Sequence, residues 1–194
     1  GPVFDGSKTG AMQRYQDLES ARTRDAAEVW RWLEMAEAAK KANWKDKAEI
    51  CTQRALGAAR ALVSREPKSA LAHALLGAAL EWNVEKLAEL QSALKLDPRQ
   101  TLALHELIQR RSYQALENAI LGRDTPLEQN PQTDEAVAHA LYQRTPTDEN
   151  IAVYERQIQE VRRDLNHLLS LAQEQADMVI YLKTLYRLEE LGFH

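Results

Sequence analysis

The stretch from residue 69 to residue 98 reads SALAHALLGAALEWNVEKLAELQSALKLDP, and the pattern of the chain extends outward from it. Alanine, leucine, glutamate and lysine dominate this stretch, and they are strong helix formers. The composition predicts two short helices, Ala70–Trp82 and Glu85–Leu96. Pro67 ends the helix before the stretch, because the residue preceding a proline is pushed out of the α region.

Pairs of a proline and a hydroxyl residue recur along the chain. Each hydroxyl oxygen can accept from a free N–H group in the first turn of a helix, so each of these residues is a predicted N-cap. Three of the caps are spaced 32 residues apart, and such a period is typical of stacked helical hairpins, because one hairpin cannot bury its apolar face alone. The pairs are Pro67 with Ser69, Pro98 with Thr101, Pro131 with Thr133 and Pro146 with Thr147.

Helices are also predicted on both sides of this stretch. Upstream, apolar residues at three- and four-residue spacing predict helices over Arg24–Ala42 and Lys45–Arg65. Within the second of these, Cys51 is interpreted as a small buried residue. Downstream, the second 32-residue unit is predicted to contain two helices, and a loop and a short helix follow it. These elements are Leu102–Arg111, Tyr113–Leu121, the loop Arg123–Thr133 and the helix Asp134–Gln143.

The C-terminal part of the chain has a heptad pattern. From Asp148 to Leu191 there is no glycine and no proline. Such a pattern predicts one long helix, or a hairpin of two helices, with a continuous apolar seam over 151–186. Gln175 is a polar interruption of this seam and could set its register. The residues at seven-residue spacing are Ile151, Ile158, Leu165, Ala172, Val179 and Tyr186.

The repeated units resemble a tetratricopeptide-repeat array, and the closest match is the stretch 69–98. Leu76-Gly77 lies in its first helix, Ala93 in its second, and Leu96-Asp97-Pro98 closes the unit. The family places a small residue where Gly77 stands so that the paired helices can approach closely. The resemblance covers roughly residues 36–145.

The resemblance implies a concave groove, lined by the first helix of each hairpin, that binds a peptide, a helix or another protein. The carboxylate clamp of chaperone-binding family members is not matched, so that activity is not carried over. Trp82 and Tyr142, near the ends of first helices, could line the groove. Trp30 and Trp32 point in nearly opposite directions on their helix, so either both are sandwiched between helices or one lies exposed as an anchor for a partner. The predicted partner-binding residues are Leu71, Ala74, Glu81, Trp82, His105, Gln109 and Tyr142.

The charge and composition argue against several partners. The chain has a formal net charge of −4 and no clustered positive surface, so no nucleic acid partner is expected. Its longest apolar run, Ala74–Leu80, is far too short for a membrane span. The low glycine content excludes a glycine-rich phosphate loop, and a single cysteine cannot form an internal disulfide. We expect a cytoplasmic protein without a cofactor.

No motif in the sequence predicts an enzyme. His73 and His105 lie at the same distance from their predicted caps, which favours one architectural position used twice. Asp164 and His167 are three residues apart, but no partner motif completes a metal site. No nucleophile elbow is present. A helical enzyme or small-molecule sensor using His105, Asp164 or His167 stays open as an alternative.

The sequence therefore predicts an all-α protein, with TPR-like helical hairpins over 13–145 and a long C-terminal helix or helical hairpin over 146–194 in the same compact unit. Residues 1–12 are interpreted as a cloning remnant and are left out of the fold prediction. The expected function is non-enzymatic protein–protein recognition, as an adaptor, chaperone or assembly factor. A structural homo-oligomer that pairs through the 151–186 seam is the second alternative.

Overall fold

A computed structural model describes residues 7–122, 124–126 and 147–192 of the chain. These residues form helices, and none of them lies in a strand; the connections are short except between residues 121 and 148, where most of the chain is not described. The all-α prediction is therefore confirmed for the described part of the chain. The helices are α1 (Lys8–Ser20), α2 (Asp25–Lys41), α3 (Lys45–Arg65), α4 (Ala70–Ala79), α5 (Val84–Leu96), α6 (Thr101–Leu121), α7 (Asp148–Glu174) and α8 (Met178–Glu190).

The N-terminal helices follow the predicted boundaries closely. Helix α3 begins and ends as predicted, and α2 differs from its prediction by one residue at each end. Helix α1 begins at Lys8, so part of the segment left out of the fold prediction is helical, and Ala11 is buried in it. Tyr15 of α1 belongs to a small apolar cluster with Met35 of α2 and Cys51 of α3. Cys51 is buried as predicted.

Helices α4 and α5 form a closely packed pair. The Ser69 hydroxyl caps α4 as predicted, accepting from the backbone N–H of Ala72 at 3.1 Å. The Asn83 side chain caps α5 in the same way. A Cβ atom at Gly77 would lie 2.6 Å from the Leu90 Cδ2 atom, too close for a real contact. The close approach expected at Gly77 is therefore present in this pair.

Helix α6 is one helix of 21 residues, so the prediction of two helices over 101–121 was wrong. No glycine or proline interrupts this segment, and the Ser112 hydroxyl at the predicted break donates to the Gln109 carbonyl at 2.7 Å. Its N-cap is Gln100, not Thr101 as predicted. The Thr101 hydroxyl instead donates to Asp177 at 2.8 Å, which ties the start of α6 to the start of α8.

The C-terminal segment is a pair of helices, one of its two predicted forms. Helix α7 is capped by Thr147 as predicted and ends at Glu174. The side-chain amide of Gln175, the next residue, donates to the Arg99 carbonyl at 2.9 Å. Ala176 takes a positive φ of 54° in the turn between the two helices. The turn breaks the predicted seam, because Val179 and Tyr186 beyond it are exposed. Before the turn, the seam is buried at Ile158, Leu165 and Ala172.

The main apolar cluster is shared by all the described helices from α2 to α8. It contains buried residues from α2, α3, α4, α5, α6, α7 and α8, and α4 packs against both α2 and α6. Trp30 and Trp32 are half-buried against this cluster. Thr133, Tyr142, the helix predicted over 134–143 and most of the loop predicted over 123–133 lie outside the described residues.

Candidate functional site

Helix α8 covers part of α6, which is one of the helices that the resemblance places along the groove, and its Lys183 contacts α2. It packs against α6, and its residues Ile180 and Thr184 are completely buried. The Lys183 ammonium lies 3.2 Å from Glu34 Oε1 and 3.1 Å from Glu37 Oε2 on α2. The chain's own C-terminal helix therefore occupies part of the surface on which a partner segment was expected.

Lys183 is held charged in a largely buried position. Burial would lower the pKa of the Lys183 ammonium, but the facing carboxylates Glu34 and Glu37 outweigh burial and raise it above its ordinary value. The Arg14 guanidinium contacts the other oxygen of Glu34 at 2.6 Å. These ion pairs fix α8 to α2 and leave Lys183 committed to a structural role.

The two predicted repeat histidines have opposite environments. His105 is buried between α6 and its neighbours, and burial lowers its pKa to about 4, so it is neutral at pH 7. His73 is half-buried, with Nδ1 2.6 Å from Glu89 Oε2 and Nε2 2.7 Å from the Pro67 carbonyl oxygen. Although burial alone would lower the pKa of His73, these two acceptors raise it. The observed caps are Ser69 and Gln100, so the two histidines are not at equivalent positions.

A cleft of about 520 Å³ opens beside the C-terminal end of α8. Trp82, just after α4, forms one side, and α6 contributes most of the lining. Helix α7 adds Tyr154, and the C-terminal part of the chain adds Arg187 and Leu191. The lining residues are Trp82, Glu106, Gln109, Arg110, Ser112, Tyr113, Leu116, Tyr154, Arg187 and Leu191.

Cations lie against the aromatic side chains of this cleft. The Lys86 ammonium is 4.7 Å from the Trp82 ring centroid, and the Arg110 guanidinium is 5.1 Å from that of Tyr113. Lys86 also lies 3.1 Å from Glu106 Oε2 and donates to the Leu80 carbonyl. Contacts of this kind hold a cation over the negative face of the ring, so the cleft combines aromatic surface with fixed positive charge.

The rest of the lining is mixed: Leu116, Tyr154 and Leu191 are apolar or aromatic, and the remaining residues are Gln109, Ser112 and Arg187. Leu116 is 40% exposed although it is a large apolar residue. Tyr154 is half-buried, and burial raises the pKa of its phenol, so the side chain stays neutral. Half of the described lining residues are polar or charged, so this cleft is more polar than a typical small-molecule pocket, whose walls are mostly apolar.

Two of the predicted partner-binding residues, Trp82 and Gln109, meet in this cleft. Glu81 is exposed and adjacent in sequence to Trp82, and Leu71 is half-buried against the core. Ala74 and His105 are buried, because the faces of α4 and α6 that carry them point into the core. They are therefore not part of an exposed binding surface. Tyr142 lies outside the described residues.

The prediction missed several lining residues on α6. The missed residues Glu106, Tyr113 and Leu116 recur with the predicted Gln109 at spacings of three and four residues, which place all four on one face of a continuous helix. This signal was present in the sequence, but the predicted break after Arg111 concealed it. Tyr154 and Arg187 come from distant segments, and no local pattern could have associated them with Trp82.

The residues proposed for an enzyme or sensor do not converge on this cleft. His105, Asp164 and His167 are absent from its lining. Among the residues that the structure describes, no group of three or more histidine, cysteine and acidic side chains could hold a metal ion. Within the same residues, no helix combines the length and the apolar character needed to cross a membrane.

No family model matches this chain, and no curated protein or solved structure matches it. The resemblance to tetratricopeptide repeats therefore stays a prediction from the residues quoted above.

Proposed function

We propose that this protein is a non-enzymatic interaction module, an adaptor, chaperone or assembly factor, that binds a segment of a partner protein in the cleft beside Trp82. The observation that carries this proposal is the cleft itself, in which Trp82 and Gln109 line the same space as aromatic and cationic residues from α6, α7 and α8. Tryptophan, tyrosine and arginine are the residues that most often dominate binding energy in protein interfaces.

The packing of the helices supports this proposal. Consecutive helices pair, α2 with α3 and α4 with α5, and α4 packs against α2 and α6 on either side. A TPR-like solenoid would be built in this way, with α2, α4 and α6 as first helices. In that arrangement the cleft is the part of the groove that α8 leaves open.

Site-specific photo-crosslinking in the source cell tests the proposal. A photoreactive phenylalanine analogue at Leu116 should form adducts with a partner polypeptide, because this side chain lines the cleft and is partly exposed. The same analogue at Ile50 is the matched control, since Ile50 is an exposed apolar residue on α3 and is not part of the lining.

Adducts that form at residue 116, are lost in the Trp82→Ala variant and are absent at residue 50 support the proposal. Equal labelling at both positions, or labelling that is indifferent to Trp82, contradicts it. Far-UV circular dichroism of each variant shows whether the fold is retained.

Self-association through the C-terminal helix is a second candidate function. The buried seam residues of α7 are engaged within the chain, but α8 presents a second apolar face to solvent. Its members Met178, Leu185 and Tyr186 are exposed, and Tyr186 is the most exposed of them at 64%. If this face pairs two copies, light scattering should show a dimer for the unmodified chain and a monomer for Met178→Asp/Tyr186→Asp.

A further inference from the structure

The charges that line the cleft are unequal. Arg110 and Arg187 contribute two guanidinium groups, and Glu106 contributes a single carboxylate. That carboxylate is already engaged, because the Lys86 ammonium lies 3.1 Å from it and both groups are largely buried. Among the lining residues that the structure describes, Arg187 is the cation that an incoming anion can reach, because the Arg110 side chain is only 4% exposed and Glu106 is paired with Lys86.

Among the described residues, one acid contacts each arginine, Glu117 at Arg110 and Glu190 at Arg187, and neither acid is part of the lining. Glu117 is buried behind Arg110, with 3.9 Å between its Oε1 and the arginine Nη2. Glu190 lies 3.0 Å from Arg187 Nη1, but it is three residues further along α8 and its side chain is 44% exposed. The Arg187 side chain is 23% exposed, so both partners reach water, and solvent and salt screen this ion pair. A carboxylate that enters the cleft can therefore replace Glu190 at Arg187.

The apolar part of the lining lies next to these cations. Trp82 and Tyr113 offer aromatic surface, and Leu116 and Leu191 add aliphatic surface. An apolar side chain seated here would be buried against the same rings that hold Lys86 and Arg110. Its neighbours along a polypeptide would lie within a few ångströms of the guanidinium groups, because successive residues are about 3.8 Å apart.

We propose that the cleft takes an acidic segment of a partner polypeptide, with an aromatic or aliphatic side chain against Trp82 and Tyr113 and a neighbouring carboxylate on Arg187. This inference rests on the proposed function and names the chemistry of the partner. Charge complementarity of this kind gives specificity and faster association, and it weakens as salt rises.

Selection from a display library of random dodecapeptides tests the inference. The library is panned on the unmodified chain and, in parallel, on Trp82→Ala, and sequences enriched on both are discarded. We expect the remaining peptides to carry an aspartate or glutamate next to a leucine or an aromatic residue. Free N-acetylphenylalanine serves as a competitor that has the same two groups without the polypeptide.

Variants that remove one charge each, without changing the apolar residues of the cleft, then measure the electrostatic contribution to peptide binding. By fluorescence anisotropy, Arg187→Gln should weaken binding of the selected peptides about tenfold. Glu190→Gln should tighten it about twofold, because it frees Arg187. Arg99→Gln is the matched control, since it removes the same charge from an exposed ion pair elsewhere, and it should leave binding unchanged.

The outcomes separate the two proposals. If the Trp82-dependent peptides are neutral or basic, the proposal of an acidic partner is overturned. The same holds if they bind Arg187→Gln and Glu190→Gln equally well. Either result leaves the proposal of a binding module standing. A library that yields no Trp82-dependent peptide overturns both. If N-acetylphenylalanine competes at the same concentration as the selected peptide, the proposal of a polypeptide ligand is overturned. The cleft is then assigned to a small aromatic carboxylate.

Discussion

At the scale of single residues, two glycines in helices have opposite roles. A methyl group at Gly77 would meet the buried Leu90 side chain, whereas nothing lies within 4 Å of one at Gly57. We expect Gly77→Ala to lower the free energy of unfolding by about 1 kcal/mol, because overpacking exceeds the gain in helix propensity. Gly57→Ala should raise it by about 1 kcal/mol, since it gains propensity without a clash.

Urea denaturation of both variants checks this pair of predictions. Because the substitution is the same, any general effect of alanine on helix propensity is common to the two. A stabilised Gly77→Ala variant would contradict the assignment of a close approach between α4 and α5.

His105 makes stability depend on pH. Its pKa is lowered to about 4 in the folded chain from an ordinary value of 6.5, so the unfolded chain binds the proton more readily. The stability that this group contributes is complete above pH 6.5 and is lost as the pH falls from 6.5 to 4, by about 3 kcal/mol in all. The difference in unfolding free energy between the unmodified chain and His105→Gln should follow this curve.

His73 is the matched control for that titration. Its pKa is raised, so its contribution is complete below the ordinary value and is lost as the pH rises through the raised pKa. His73→Gln should therefore change the pH profile in the opposite direction. Equal profiles for the two variants would contradict the buried, neutral state of His105.

At the scale of the elements, Lys183 attaches α8 to α2. Its replacement by methionine removes the cation that faces Glu34 and Glu37, and Glu34 is itself buried. We expect Lys183→Met to cost about 3 kcal/mol and to speed hydrogen exchange of the α8 amides. The measurement is urea unfolding together with hydrogen exchange read by mass spectrometry.

An exposed ion pair provides the control for this prediction. Arg156 pairs with Asp124, and both side chains are more than half exposed. Arg156→Met should change stability by no more than about 0.5 kcal/mol. If Lys183→Met changed it by no more than Arg156→Met, the docking of α8 would not depend on these charges.

At the scale of the whole molecule, the main apolar cluster includes residues from α2 to α8, so we expect a single unfolding transition. All four tryptophans lie between residues 30 and 82, whereas circular dichroism reports helices along the whole chain. The two signals should give the same urea midpoint. A chain that ends at residue 145 should fail to fold, because it loses Leu165, Leu168 and Ile180 from the core.

Separate midpoints for the two signals would contradict this prediction, and so would a folded chain ending at residue 145. Either result would mean that the C-terminal helices form an independent unit.

The features of the fold that were predicted correctly depend on short-range sequence signals. The caps at Ser69 and Thr147, the bounds of α3 and the burial of Cys51 each depend on residues close together in sequence, and the structure has them as predicted. The prediction was wrong at α6, where a helix break was expected although no residue there could produce one. At Thr101, a distant partner, Asp177, competes for the hydroxyl that was expected to cap the helix.

The residues of the candidate site also divide into those that the sequence could indicate and those that it could not. Trp82 and Gln109 could be selected from the sequence because the repeat pattern places them near the ends and along the faces of predicted helices. Ala74 and His105 were selected by the same reasoning, but they turned out to be buried, since the pattern does not say which face of a helix meets a neighbour. Arg187 and Tyr154 line the cleft only because α7 and α8 pack against α6, and the sequence pattern does not show this packing.

By itself, the amino-acid sequence determined that the described part of this protein is built from helices and where α2, α3 and α5 begin and end, because propensity, capping and proline act over a few residues. Only the tertiary structure decided that α8 packs on α6 and contacts α2 through Lys183, and that a cleft remains beside Trp82. Those features depend on contacts between residues as far apart as Glu37 and Lys183. Their energy depends on burial and distance, which no local pattern contains.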